Sequence, residues 1–210
     1  MRLSHAGIST QAVHGGRQRP RLGDAAPTTV PIYQSSSFSY ARAEDLIDIF
    51  EGRARGYVYE RYGTPTGDAL QEAVALLEGA DVCFAFGSGM AAIHAALLAT
   101  GIAAGDSIVA AHDLYGATRA LFDQVFMRLG VHVRYVDIAD HTAVATALAT
   151  GQPRLLYCET MSNPLLKIAD LPALADLAHR HNALFLVDST FTTPYLLRPL
   201  EHGADMVIHS

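Results

Sequence analysis

The sequence predicts a mostly parallel, doubly wound α/β sheet, and three observations lead there. From about residue 66 onward, helix-period stretches alternate with short apolar runs rich in β-forming residues, so the hydrophobic period switches repeatedly. The runs carry few charges, as strands do when crossover helices cover both faces of a sheet. Glycines follow the helical stretches at Gly79, Gly101, Gly130 and Gly151, where a left-handed residue ends a helix. With half of its 210 residues apolar, the chain is long enough to bury one substantial core.

The first 65 residues differ, being rich in Pro, Gly, Ser, Thr and Tyr, with one predicted helix near Ala43 to Phe50. Residues 1–65 are therefore read as an extended arm packed across another subunit, a loosely ordered tail being the alternative. Residues 66–210 form the core domain. Its predicted elements are a helix Asp68 to Leu77, a strand VCFAF (82–86), a helix Met90 to Leu98, and a strand SIVAA (107–111). A helix Ala117 to Leu129, a strand HVRYV (132–136), a helix His141 to Ala149 and a strand RLLYC (154–158) follow. The series ends with a helix Leu171 to His181 and the strands LFLVD (184–188) and MVIH (206–209).

Composition narrows the function. The formal charge is −6 and the basic residues are scattered singly, so nucleic acid is not an expected partner. No apolar run approaches the roughly 20 residues that span a bilayer, and the start lacks a signal-peptide core, so a soluble cytoplasmic protein is expected, without a membrane partner. Cys83 and Cys158 fall in strand-like runs and suit reduced core thiols better than a disulfide or a metal site; no metal is expected. Fourteen of the fifteen basic residues are arginine, so Lys167 is the one lysine available to any lysine-dependent chemistry.

In doubly wound sheets, ligands bind beyond the carboxyl ends of strands. After VCFAF comes Gly87-Ser88-Gly89-Met90, opening a helix whose free N–H groups suit a phosphate. The same stretch through Ala92 also fits a dinucleotide fingerprint, with Asp106 or Asp113 as the ribose-binding acid; an NAD-dependent dehydrogenase is thus the rival reading. After SIVAA comes Tyr115, an aromatic ring for a flat cofactor or simply a packed tyrosine. Glu159 to Pro164 follows RLLYC, where Asn163 either contacts a ligand oxygen or only shapes an Asn-Pro turn. Asp188 ends LFLVD and either caps the turn at Ser189-Thr190-Phe191 or pairs with a cationic ring nitrogen. Because these groups follow successive strands, they are expected to meet in one pocket.

Seven segments in order resemble one family, the Cys/Met-metabolism pyridoxal-phosphate enzymes. They are TVPIYQSSSF (29–38), YERYGTPT (59–66), FGSGMAAI (86–93), DLYGATRALF (113–122), ETMSNP (159–164), VDSTFTTPYLLRPLEHGAD (187–205) and VIHS (207–210). The resemblance covers essentially the whole chain and implies the large domain of a type I, aspartate aminotransferase-like fold, without the C-terminal small domain. It implies that pyridoxal 5′-phosphate is bound by Ser88, Gly89, Met90, Tyr115, Asn163, Asp188, Thr190 and Ser210. Tyr59 and Arg61 would reach the phosphate in a neighbouring subunit, making at least a homodimer and in this family often a homotetramer. Tyr115 would also assist proton transfer, and Glu159 would stand behind the contacting residues. The Schiff-base lysine is expected shortly beyond Ser210, so the chain is read as a fragment, and Lys167 as a solvated surface residue. The implied activity is elimination or replacement at Cγ of a small amino-acid substrate, of the cystathionine γ-synthase or γ-lyase type. O-acylhomoserine sulfhydrylase or methionine γ-lyase are the alternatives within the family. Ala117 stands where methionine γ-lyases typically carry cysteine, which argues against that last activity.

Overall fold

The computed structural model describes residues 3–16 and 27–210. They group into two units, Met1–Ala85 and Phe86–Ser210. No helix among the described residues is long and apolar enough to cross a membrane.

The first unit holds α1 (Ile8–His14), α2 (Ala43–Phe50) and α3 (Pro65–Glu78). α2 and α3 lie where the sequence predicts helices; α1 was not anticipated, because ISTQAVH is short and carries no complete apolar stripe. α1 packs on α3, with Gly15 close enough to Ala73 and Leu76 that a Cβ there would lie 3.3 Å from both. The start of α3 is set by Thr64, whose Oγ1 accepts the Gly67 N–H at 3.1 Å, with Pro65 in the first turn. Segments 36–38 and 58–60 pair antiparallel through Phe38 N–H to Val58 O (3.0 Å) and Glu60 N–H to Ser36 O (2.9 Å). Of the expected arm, residues 1–2 and 17–26 lie outside the described residues.

The second unit contains α4 (Gly89–Ala99), β1 (Ser107–Ala111), α5 (Gly116–Leu121), β2 (His132–Val136) and α6 (His141–Ala149). It continues with β3 (Leu155–Glu159), α7 (Leu171–Arg180), β4 (Leu184–Asp188), α8 (Thr193–Leu196) and β5 (Met206–Ile208). The strands form one parallel sheet in the order β2-β1-β3-β4-β5, as the alternating pattern predicts. β3 is the central strand and is buried at all five positions, so both sheet faces are covered. The helices contact each other in two pairs, α4 with α5 and α6 with α7. Side-chain caps fix three helix starts: Ser88 for α4, Asp140 for α6 and Asp170 for α7. The four predicted terminating glycines do adopt positive φ, from 72° at Gly79 to 88° at Gly130.

Two predicted elements differ. VCFAF (82–86) forms no strand and pairs with none among the described residues, and Val82, Phe84 and Phe86 are exposed. Apolar content marks a segment fit for a sheet, but a strand also needs a partner for its backbone groups. The helix expected over Ala117 to Leu129 is α5 followed by a π turn at Phe122–Phe126 and a 3₁₀ turn at Met127–Leu129. The π turn buries both Phe122 and Phe126, which sit four residues apart.

Leu156, wholly buried in the central strand, should carry core stability: Leu156→Ala is expected to cost about 2–5 kcal/mol. The half-exposed Leu98 should cost less than about 0.5 kcal/mol on the same change. Urea denaturation midpoints of the two variants measure the contrast.

Candidate functional site

The strand order reverses between β1 and β3, since the chain runs outward from β1 to β2 and then returns to lay β3 against the other side of β1. Ligands of open parallel sheets bind beyond the carboxyl ends of the strands at such a reversal. A cavity of about 290 Å³ is found there, lined by the α4 N-terminus and by residues at or after the ends of β1, β3, β4 and β5. It gathers Ser88, Gly89, Met90, Tyr115, Asn163, Asp188, Thr190 and Ser210, all eight of the residues predicted for this unit. It also takes in Ile93, Glu159, Met161 and Phe191. Ile93 lies one turn after Gly89, and Met161 and Phe191 follow strand ends, but their apolar character gave no signal that separates lining from packing. Tyr59 and Arg61 belong to the first unit. There the Arg61 guanidinium lies 5.1 Å from the Tyr59 ring centroid and 5.5 Å from that of Tyr62.

The α4 end of the cavity is a cup of small groups. The first-turn amides of Gly89 and Met90 have no acceptor within the helix, as at any helix start. A Cβ on Gly89 would come within 2.5 Å of both Cβ and Oγ of Ser210, so only glycine lets these segments meet. The Ser88 hydroxyl accepts the Ala91 N–H and keeps its own proton to donate.

Asp188 closes the other side. Its Oδ1 accepts the Thr190 N–H at 3.0 Å and the Thr190 hydroxyl at 2.6 Å, while Thr190 Oγ1 accepts the Ser210 N–H at 3.0 Å. The turn-capping role is therefore real and uses one oxygen; Oδ2 has no hydrogen bond among the described residues. A buried hydroxyl chain backs this turn, Ser189 Oγ to Thr192 Oγ1 at 2.7 Å and Thr192 Oγ1 to Thr160 Oγ1 at 3.0 Å.

Glu159 is paired in register with Asp188 across β3 and β4 and is only 5% exposed. One of its oxygens accepts the Tyr115 N–H at 2.6 Å and the other the Asn163 N–H at 2.9 Å. Burial pushes its pKa above the usual carboxylate value, the two N–H bonds pull it back, and the Asp188 charge adds to the rise.

Lys167 is not simply solvated. Its Nζ lies 2.6 Å from Asp113 Oδ2 and 3.7 Å from Asp137 Oδ2, joining the loops that follow β3, β1 and β2. This pair holds the Asp113 carboxyl below its ordinary range. The dinucleotide reading fails on the same residues: Asp113 is engaged by Lys167, and Asp106 precedes β1, at the opposite sheet end, where it accepts the Ala103 N–H at 2.8 Å. Among the described residues no cluster of His, Cys, Asp and Glu could hold a metal ion, and both cysteines are free.

The arrangement suits a flat, phosphorylated, cationic heterocycle: an anion cup, an exposed aromatic ring, an amide, and a carboxylate with one free oxygen. Comparison with known proteins agrees. The sequence pattern of the Cys/Met metabolism PLP-dependent enzymes matches residues 9–210. An L-methionine gamma-lyase of Fusobacterium nucleatum is 40% identical over all of this chain and 52% of its own length. A cystathionine beta-lyase of Lactococcus lactis is 41% identical over 97% of this chain and 50% of its own. The crystal structure of metB from Corynebacterium glutamicum superposes with a TM-score of 0.90 at 37% identity, covering all of this chain and 52% of that one. This chain belongs to the Cys/Met-metabolism family, whose cofactor is pyridoxal 5′-phosphate, and it spans about half the length of the curated relatives it matches.

The Lys167 pair gives a pH signature. Because the Asp113 carboxyl titrates lower when folded than its ordinary 3.8, the stabilisation is present above that value and lost as pH falls through the folded value. Wild type and Lys167→Met should differ in denaturant midpoint at pH 7 and converge as the pH is taken below 3.8.

Proposed function

We propose that this chain is the cofactor-binding half of an enzyme that eliminates or replaces the γ-substituent of sulfur amino acids or O-acylhomoserine, of the cystathionine γ-synthase or γ-lyase type. The observation that carries this reading is Asp188, whose Oδ2 has no hydrogen bond among the described residues and which lines the same cavity as the Gly89-Met90-Ser210 cup.

When bound, pyridoxal phosphate supplies an electron sink for charge that develops on the substrate. In this reading the Gly89 and Met90 amides and the hydroxyls of Ser88 and Ser210 hold its phosphate. Asp188 Oδ2 keeps the ring nitrogen protonated, and Thr190 serves by fixing the opposite oxygen of that carboxylate. Asn163 contacts the ring hydroxyl oxygen. Tyr115, 47% exposed, lays its ring against the cofactor and offers its Oη to take or give a proton at the cavity mouth. Lys167 does not line the cavity and is held by Asp113, so it is not read as the lysine that the family's chemistry uses.

Tyr59 and Arg61 are proposed to serve the phosphate of a neighbouring subunit in a homodimer or homotetramer. Arg61 is exposed and makes no ion pair among the described residues, and its planar fork suits a phosphate bidentately. A cytoplasmic location accords with the free Cys83 and Cys158. The relatives' names span release of sulfur from β and γ positions. Ala117, where methionine γ-lyases typically carry cysteine, favours cystathionine or O-acylhomoserine over methionine as substrate. O-acylhomoserine sulfhydrylase activity is the second reading.

The test uses the full-length protein. Purified with pyridoxal 5′-phosphate, it should develop the visible absorption of the bound cofactor and release 2-oxobutanoate from cystathionine faster than from methionine. Asp188→Ala should lower kcat by about 10²-fold or more. Failure to bind the cofactor overturns the reading, and preference for methionine overturns the inference from Ala117.

A further inference from the structure

Resting on the reading above, we propose that Glu159 is the positioning residue of the site: its carboxylate staples the loop after β1 to the loop after β3, across the crevice where the cofactor is held. Neither oxygen pairs with a cation among the described residues. Each accepts a backbone N–H, from Tyr115 on one side and from Asn163 on the other, at 2.6 and 2.9 Å. These two residues carry the ring contacts, so the staple sets the distance between the stacking tyrosine and the amide that meets the ring oxygen.

Stability alone is a poor account of such a group. A carboxylate only 5% exposed is costly to bury, and Asp188 stands opposite it on the neighbouring strand with charge of the same sign. Two charge-assisted bonds to backbone offset that cost, and what they fix is the spacing of two loops. The side chain is specific to the task. Glutamine presents one oxygen and one NH₂, so one of the two N–H groups would face a donor. Aspartate keeps the charge and both oxygens but is one methylene short, so it cannot reach both loops from the end of β3.

A second connection outside the cavity runs between the same loops. Asp113, two residues before Tyr115, pairs with Lys167 Nζ, and the Lys167 backbone is tied to Ser162 beside Asn163 by bonds of 2.9 and 3.1 Å. The outer pair is partly exposed and tolerates solvent; the inner staple alone touches the residues that line the cavity.

The experiment is hydrogen exchange by mass spectrometry on full-length wild type, Glu159→Gln and Glu159→Asp, with pyridoxal 5′-phosphate affinity measured on the same samples. In both variants, exchange should accelerate together in peptides covering 112–118 and 160–166, by about tenfold to a hundredfold, while peptides from β4 and α7 keep their protection. Cofactor affinity should fall by about tenfold or more in both. Acceleration in only one loop, or in neither, overturns the staple. Wild-type behaviour of Glu159→Asp overturns it in favour of a simple charge effect. Loss of protection throughout, or failure to fold, makes Glu159 a core stabiliser and overturns positioning, as does unchanged cofactor affinity with both loops loosened. If wild type itself binds no cofactor, the proposed function falls, while the paired exchange of the two loops still decides whether the staple exists.

Discussion

A parallel sheet buried on both faces can present chemistry only at its ends, and the rest of this unit follows from that constraint. Every position of β3 is buried, so the central strand has no side chain to offer a ligand along most of its length. Its last residue, Glu159, is the first with polar atoms to reach the cavity, and Asp188 holds the matching position on β4. Reversal of strand order between β1 and β3 separates the loops that follow these strands and leaves a crevice between them. The α4 N-terminus then supplies amides at the same edge, with no side chain needed beyond the caps that define the helix start.

The two carboxylates at this edge show how environment divides roles between like groups. Asp188 spends one oxygen on its own turn and keeps the other free. Glu159 spends both on the backbone of neighbouring loops. The first can therefore act on a ligand and the second cannot, although they are adjacent and carry the same charge. Their proximity raises the energy of ionised Glu159, and bonding from two N–H groups counters this. The buried hydroxyls of Ser189, Thr192 and Thr160 brace the Asp188 turn without adding charge.

Strand positions and strand-end chemistry were legible in the sequence because both depend on local pattern: SIVAA, HVRYV and LFLVD form β1, β2 and β4 with the predicted bounds. Eight expected site residues meet in one cavity for the same reason, since following a parallel strand is enough to reach the same edge. What escaped depends on partners. VCFAF has strand composition but no ladder neighbour among the described residues, and α1 gains its burial from α3 rather than from its own pattern. Lys167 is exposed, as expected, but its pairing shows only once the fold brings Asp113 and Asp137 beside it. The double bond acceptance of Glu159 is likewise invisible, because backbone N–H groups carry no sequence signature. Tyr59 and Arg61 are expected only by resemblance, as their setting in the first unit gives no chemistry by itself.

The charge balance of the cavity limits what its lining can recognise. Its lining includes two carboxylates, three hydroxyl groups besides Tyr115, and no Arg, Lys or His. In the proposed reading the amides and hydroxyls are taken by phosphate, Asn163 and Asp188 by the ring, and Glu159 by the loops. No cationic group in this lining remains to grip the α-carboxylate of an amino acid, and a dianionic cofactor phosphate already draws on the available donors. In the proposed reading, selection among cystathionine, O-acylhomoserine and methionine, which share that carboxylate, would therefore rest on groups outside this lining. The similar identity of this chain to a methionine gamma-lyase and a cystathionine beta-lyase, 40% and 41%, accords with that proposal: a cofactor site can be common to enzymes that choose different substrates.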